Sequence, residues 1–519
     1  MAIGRSNVQP RFEDPRSLLG DRLRGIYLLL AEHGGAMFAD DYFADLYKSS
    51  KLGRPTIPAR VLATVMLLQS HEGLSDREAT DRLERDLAWQ AAAGVHTGYE
   101  AFHPTLLVGV RNRLRESARP KRLFEDTKKA AREAGVMKDR ARVVDSTPVH
   151  DAVATQDTVT QLRAAVRKLL RLVKGTELEK KVRAVLERDD DYASPGKPPC
   201  DWDDAAAKDE LVDALVKDAK AALAALEGEE LSGAVAEAAE LLATVAGQDV
   251  EQREDGTFVI ARKVAKDRVI STVDTEARHG HKSHNRQFDG FKGHCSIDPD
   301  SELIDEVAAT AGNVADREAV DELLAPVADL SEKPEVFGDS AYADGETLEH
   351  LEDQGFPVTA KVPPAVGKDG RFSKDDFTID LGTGTVTCPA GQTANIHYLK
   401  DGSGRAEFGG ACASCPLAGR CTTNKQGRSV DIHRNETVLQ RHKAAQQAKE
   451  WKERYKSTRP KVERKIAHLV HKPWGGRRAR TRGLARVFGD LVTRAAVVNF
   501  DRLAVLGVHR DGGAWVAGP

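Results

Sequence analysis

The sequence predicts an α/β protein: a mixed sheet flanked by helices, with an N-terminal helical domain, a helical insertion and a small cysteine-rich insertion. Three observations lead there. Short apolar or β-branched runs at 141–148, 291–297, 303–308, 335–339 and 356–362 are interleaved with helical patterns. The stretches 58–116 and 157–242 show helical spacing alone. Four of the six cysteines fall in a turn-rich segment, 367–428, after the last of those strands.

At roughly 100 to 200 residues per domain, 519 residues suggest about three or four folding units. That excludes a peptide hormone, a disulfide scaffold or a single binding module. An apolar content of 40% and a charged content of 30% exclude a collagen-like or wholly disordered chain. The apolar runs at 61–68 and 25–31 fall short of the roughly eighteen residues a membrane span needs. The N-terminus lacks an apolar signal core, so a cytoplasmic protein with reduced cysteines and no membrane partner is expected.

In chain order, residues 58–89 read as two helices around Gly73, with Val61, Val65 and Leu68 before it and Ala79, Leu83 and Leu87 after it. Ser75 and Glu78 form a capping box for the second. Such a pair is compatible with a DNA-binding helix-turn-helix, but taken alone it favours an ordinary bundle. A helix at 105–116, bearing Arg111, Arg113 and Arg115, completes a mildly basic domain. The strand at 141–148 carries Asp145 and is expected to stop at Pro148, with His150 and Asp151 entering a helix. In the insertion, Leu162, Ala165, Val166, Leu169, Leu170 and Val173 form one stripe, and 192–199 is turn-rich.

Phe291, Gly293, Cys295 and Ile297 alternate with Lys292, His294 and Ser296, and the Asp298-Pro-Asp300 turn makes a hairpin with 303–308. Asp316 is expected to cap a helix carrying Val320, Leu323, Leu324 and Val327. Strand 335–339, a helix at 345–353 and strand 356–362 follow, then a helical region at 435–469 and a frayed tail after His509. The expected divisions are a helical DNA-binding domain at 1–135, the sheet core at 136–152 and 257–366, and a helical insertion at 153–256. A cysteine insertion at 367–430, a C-terminal part of the core at 431–508 and a flexible tail at 509–519 complete them.

Net charge is only −3, yet 452–486 holds thirteen basic residues against Glu453 and Glu463, whereas 201–254 is acidic. The basic run is either a solvated face or a phosphate-binding stripe. Asp145 and Asp339 each end an apolar strand, where open α/β sheets place ligands, although strand-end aspartates also serve as caps and turns. Divalent ions need more oxygen ligands, and Glu463 is the candidate third. It lies four residues after Arg459 and eight after Tyr455, near one helix face; the plainer reading is an Arg459–Glu463 pair worth tenths of a kcal/mol.

The segments Val143-Val-Asp145-Ser-Thr147, Asp274-Thr-Glu-Ala-Arg278-His-Gly-His-Lys282, Phe288-Asp-Gly-Phe-Lys292, Thr310-Ala-Gly-Asn313-Val-Ala-Asp316, Gly338-Asp339-Ser-Ala-Tyr342 and Arg454-Tyr455 to Glu463 resemble bacterial insertion-sequence transposases of the Asp-Asp-Glu class. The resembling branch has a ribonuclease-H-like core and a Tyr/Arg/Glu helix, and the resemblance covers roughly residues 40 to 505. It implies that Asp145, Asp339 and Glu463 are the catalytic carboxylates holding two Mg²⁺ (or Mn²⁺) ions. It also implies that Arg278, Lys282, Lys292, Tyr455, Arg459, Arg464 and Lys472 contact DNA. In the familiar helix Tyr and Arg are three apart; here Thr458 occupies that slot, and Pro460 kinks or starts the helix. Lys472 substitutes for a lysine expected at Val470.

Cys388, Cys412, Cys415 and Cys421 form a C-x23-C-x2-C-x5-C set suited to a tetrahedral structural Zn²⁺, with reduced cysteines left after loss of an ancestral metal, or partial disulfides, which the cytoplasm disfavours, as the alternatives. The insert also resembles a cysteine-bearing segment in one branch of these transposases. Cys200 and Cys295 lack partners in the pattern. His279, His281 and His284 are flanked by Arg278, Lys282 and Arg286, which suit phosphate better than a metal.

The expected function is therefore that of a DNA transposase cleaving and transferring strands by in-line displacement. Its partners would be double-stranded DNA, both terminal inverted repeats and target, with a homodimer assembled on DNA and nucleoid association when bound. A ribonuclease-H-like nuclease without strand transfer and a domesticated, inactive DNA-binding protein are the alternatives.

Overall fold

The computed structural model describes residues 13–47, 57–262, 265–283, 286–471 and 475–518. Helices α1 (Gly25–Met37), α2 (Ala59–Glu72), α3 (Asp76–Arg85), α4 (Leu87–Ala93), α5 (Thr105–Glu116) and α6 (Arg122–Glu133) form the N-terminal layer. Gly73, left-handed at φ 70°, ends α2, and the Ser75–Glu78 capping box starts α3 with both reciprocal bonds made. The helix expected to reach Trp89 breaks at Asp86, whose carboxylate accepts the Ala88 N–H and starts α4.

The central sheet comprises β1 (Ala141–His150), β2 (Arg278–Ser283), β3 (Arg286–Asp298), β4 (Leu303–Ala311), β5 (Glu335–Gly338) and β6 (Val358–Ala360). Its order is β4–β3–β1–β5–β6, with β2 pairing the other half of β3. β3 runs antiparallel to β1, β2 and β4, whereas β5 is parallel to β1 and β6 to β5. This is the mixed sheet that the sequence predicts.

β1 does not stop at Pro148. It continues to His150, because beyond Val143 it has lost β5 as a partner, and on a strand paired at one side only a residue without N–H is tolerated. His150 and Asp151 accordingly end a strand rather than enter a helix, and the next helix starts only after its Asp157 cap. Nor does Asp316 act as a cap: it lies inside a 3₁₀ turn, Asp316–Ala319, and its carboxylate turns to Ser146 and Lys292.

The length of β3 depends on Gly290. Its φ is 138°, and a β-carbon there would stand 2.4 Å from the Val149 carbonyl oxygen and 2.5 Å from the Asp151 nitrogen. Gly290→Ala is therefore expected to cost more than about 1–3 kcal/mol in chemical denaturation, combining a backbone conformation foreign to alanine with a clash against β1. An unchanged denaturation midpoint would refute this.

The insertion consists of α7 (Thr158–Leu172), α8 (Glu177–Ala184), α9 (Ala205–Ala224) and α10 (Gly233–Gln248), around a core of its own that includes Leu162, Leu169, Val212, Leu215 and Leu242. Helix α11 (Gly345–Asp353) joins β5 to β6. The cysteine-rich segment forms an antiparallel meander: β7 (Thr378–Asp380), β8 (Thr385–Thr387), β9 (Thr393–Tyr398), β10 (Gly404–Glu407) and β11 (Ser429–Ile432). The region read as one helical stretch divides into α12 (Glu436–Ala445), α13 (Lys449–Thr458) and α14 (Pro460–Leu469).

Helix α15 (Leu484–Val505) packs on α1, α2, α6 and β4, which explains why α2 is buried around almost its whole circumference. Buried Asn499 in α15 accepts the Ile304 N–H at 2.8 Å and donates to the Ile304 carbonyl at 2.8 Å and to Thr127 at 3.0 Å, so one amide fixes helix, strand and α6 together. A single apolar core runs from Leu30, Leu67 and Phe124 through Val143 and Ile297 to Val462 and Phe500. The tail is not frayed over its described part: β12 (His509–Asp511) and β13 (Ala514–Val516) make a hairpin, and Trp515 is buried in that core with its ring edge-on to His33. Among the described residues no helix is long and apolar enough to cross a membrane.

Candidate active site

Parallel pairing aligns the two aspartates. Val143 of β1 faces Phe337 of β5, so two residues further along each strand Asp145 and Asp339 emerge side by side. Asp145 is largely buried; one carboxylate oxygen accepts the Ser146 N–H at 2.8 Å and the other meets the Arg459 guanidinium at 3.0 Å. Asp339 is half-exposed, accepts the Ala341 N–H at 2.9 Å, and reaches the same Arg459 nitrogen at 3.8 Å. Burial pushes the Asp145 carboxyl above the usual range, against the downward pull of Arg459.

Arg459 joins the end of α13 to the start of α14. Its side chain is 8% exposed, and its Nε and Nη1 atoms are buried without a hydrogen-bond partner. One turn earlier, Tyr455 donates to the Gly338 carbonyl at 3.2 Å and stacks on Trp451, with centroids 4.8 Å apart. Arg454 donates to Glu335 at 2.6 Å, so α13 is tied to β5 just before the strand delivers Asp339.

Glu463 lies on α14 one turn after Arg459. Its side chain is exposed and makes no hydrogen bond or ion pair with the described residues. Among those residues, no group of three or more His, Cys, Asp or Glu side chains is arranged to hold a metal ion. Two of the three predicted acids are thus together on one cation, and the third stands apart on the adjoining helical turn.

Behind the pair lies a network that sequence reasoning missed. The Asp316 carboxylate accepts Ser146 Oγ and Lys292 Nζ, each at 2.6 Å, and Lys292 also donates to the Val314 carbonyl. Burial pushes His294 down to about 4, so it is neutral near pH 7. The Tyr342 hydroxyl is buried without a hydrogen-bond partner; burial and the nearby Asp316, Asp145 and Asp339 charges hold it far above the usual phenol range. The signal was present in the quoted segments, because Asp316 and Tyr342 belong to the same short runs as Asn313 and Asp339.

The predicted DNA contacts are differently disposed. Lys292 is paired with Asp316, Arg464 with Glu302 at 2.6 Å, and Arg278 with Asp267 at 2.7 Å, while Lys282 is exposed. Lys472 and His284 lie outside the described residues. His279 is paired with Asp289 at 2.5 Å. A basic segment follows α14 and straps the end of β1: His150 exchanges backbone hydrogen bonds with Arg477 and Ala479, and Arg477 donates to Thr147 at 3.0 Å.

Cys388, Cys412, Cys415 and Cys421 all line one small, mostly apolar cavity with Phe377 and Phe408. All four are free thiols. Cys200 is half-exposed, and buried Cys295 pairs across from Asp145 on β3.

A family model described as a transposase DDE domain matches residues 387–504, and a second, described as a transposase domain (DUF772), matches residues 22–113. No curated protein and no solved structure matches the chain. The first span contains the four cysteines, Tyr455, Arg459 and Glu463; Asp145 and Asp339 precede it.

Proposed function

Because the chain belongs to the DDE transposases of insertion sequences, we propose that it cuts DNA at element ends and transfers the strands to target DNA through Asp145, Asp339 and Glu463. The observation that carries this reading is the convergence of Asp145 and Asp339 on one cationic nitrogen, 3.0 and 3.8 Å away. Carboxylates so drawn to one positive charge also suit hard divalent ions, and the pair fits Mg²⁺ or Mn²⁺. Two such ions, when bound, supply a nucleophilic water and stabilise the leaving 3′ oxygen.

The chain's own residues provide the rest. Strand pairing and the Ser146 N–H hold Asp145, and the Ala341 N–H holds Asp339, so both acids are oriented before ligands arrive. Glu463, exposed and without a partner among the described residues, can turn toward them from α14. Lys282, Arg459 and the Arg477–Arg478 strap would grip phosphates, making binding strongly salt-dependent. Recognition of terminal repeats falls to the N-terminal helices, and a homodimer would assemble on the paired ends. Purified protein mixed with the DNA flanking its own gene should, in Mg²⁺, yield both nicked ends and joined products. Cleavage without joining would instead indicate a nuclease, and binding without cleavage an inactive DNA-binding protein.

The reading also assigns a structural Zn²⁺ to Cys388, Cys412, Cys415 and Cys421 on their spacing; the four thiols line one cavity but are not arranged here as a metal-holding group. Elemental analysis should find about one zinc per chain, lost in Cys412→Ser together with protease resistance of 367–430. A zinc-free protein with that segment equally resistant would contradict the assignment.

A further inference from the structure

We propose that Arg459 is a resident counter-ion that competes with divalent cations for Asp145 and Asp339 and leaves them when a DNA phosphate engages it. The proposal rests on the reading of the pair as a metal site and adds to it a control on loading.

Three observations support it. The guanidinium bridges the two acids: one nitrogen lies 3.0 Å from Asp145 and 3.8 Å from Asp339. It does so at a cost, because Nε and Nη1 are buried without hydrogen-bond partners. Its attachment is also articulated. Arg459 donates its N–H to the Tyr455 carbonyl at 2.9 Å, but Pro460 has no N–H to continue the ladder, so the junction of α13 and α14 lacks a rung immediately after Arg459.

These facts fit together physically. Without DNA, the two acids need a positive charge, and Arg459 provides it at the expense of two unsatisfied donors. Once Nη2 leaves the acids, the guanidinium can present a phosphate with the forked contact its geometry favours, Nη2 together with Nε or Nη1, which satisfies one of the idle donors. Moving Arg459 onto phosphate exposes both carboxylates at once. Cation loading and DNA engagement therefore reinforce each other, as linkage requires.

The test is Mn²⁺ binding to the DNA-free full chain, followed by electron paramagnetic resonance, for the wild type, Arg459→Gln and Arg459→Lys. Asp339→Asn marks which binding belongs to the pair. Arg459→Gln should bind Mn²⁺ roughly tenfold more tightly than the wild type, a typical coupling, with Arg459→Lys close to the wild type. In the wild type a short uncleavable duplex should tighten Mn²⁺ binding similarly, an arm that needs no altered residue at 459. Equal Mn²⁺ affinity in Arg459→Gln and the wild type, with binding still lost in Asp339→Asn, would overturn the competition while leaving the metal site standing. So would a duplex that leaves wild-type affinity unchanged. Mn²⁺ binding indifferent to Asp339→Asn in every background would overturn both.

Discussion

Asp339→Asn is expected to lower the single-turnover rate of DNA strand cleavage in Mg²⁺ by at least about three orders of magnitude, since in the proposed mechanism it removes a metal-binding charge and with it several kcal/mol of transition-state stabilisation. The fold should survive. The side chain is 42% exposed, the amide oxygen can still accept the Ala341 N–H, and Arg459 retains Asp145 as its nearer partner. Asp145→Asn should lose cleavage equally but also lose stability, because it leaves the nearly buried guanidinium with only the more distant acid. Unchanged circular dichroism with lost cleavage separates chemistry from folding in the first variant. A rate within tenfold of the wild type would remove Asp339 from the catalytic set.

The largest expected effect on stability lies on the opposite end of β1. Arg142 is fully buried; its Nε donates to Asp305 at 2.8 Å, its Nη2 pairs with Asp139, and Asp298 stands 3.8 Å away. Asp298 and Asp305 are themselves fully buried, and among the described residues only Arg132, at 2.8 Å from Asp305, would remain ion-paired with them. Arg142→Ala should therefore cost about 3–5 kcal/mol, the penalty for leaving buried charge uncompensated. Against a total stability of about 5–15 kcal/mol, this predicts a large fall in the denaturation midpoint and in soluble yield. A loss below about 1 kcal/mol would mean that Arg132 and solvent suffice to compensate both acids.

Helix α11 and β5 were legible almost to the residue, because each apolar pattern is bounded by its own cap or turn residue: Asp344 before the helix, Asp339 after the strand. Strand β2 was not, since Arg-His-Gly-His-Lys-Ser offers no apolar alternation and its pairing comes from β3. The meander was read as turns because its strands are only three to six residues long. Trp515 looked like part of a loose tail because the surfaces that bury it, including His33, are supplied from the far end of the chain.

The same division holds at the site. Asp145 and Asp339 could be paired from sequence because both end apolar strands, and the parallel register does the rest. The Ser146–Asp316–Lys292 network could not, as it joins residues 170 and 24 positions apart whose nearness exists only in the folded sheet. Arg459 was readable as a cation for phosphate. Its contact with the two acids depends on how α13 and α14 meet the sheet, which no local spacing specifies.

The central claim is that Asp145 and Asp339 carry the divalent ions that cut DNA, and the most direct test is a change of metal preference. Asp339→Cys replaces a hard oxygen ligand with a soft sulfur, which disfavours Mg²⁺ more than Mn²⁺. Single-turnover cleavage of an element-end duplex by this variant should be nearly absent in Mg²⁺ and substantially restored in Mn²⁺, while the wild type cuts in both. Equal activity of the variant in the two metals, or wild-type cleavage that persists in excess chelator, would contradict it.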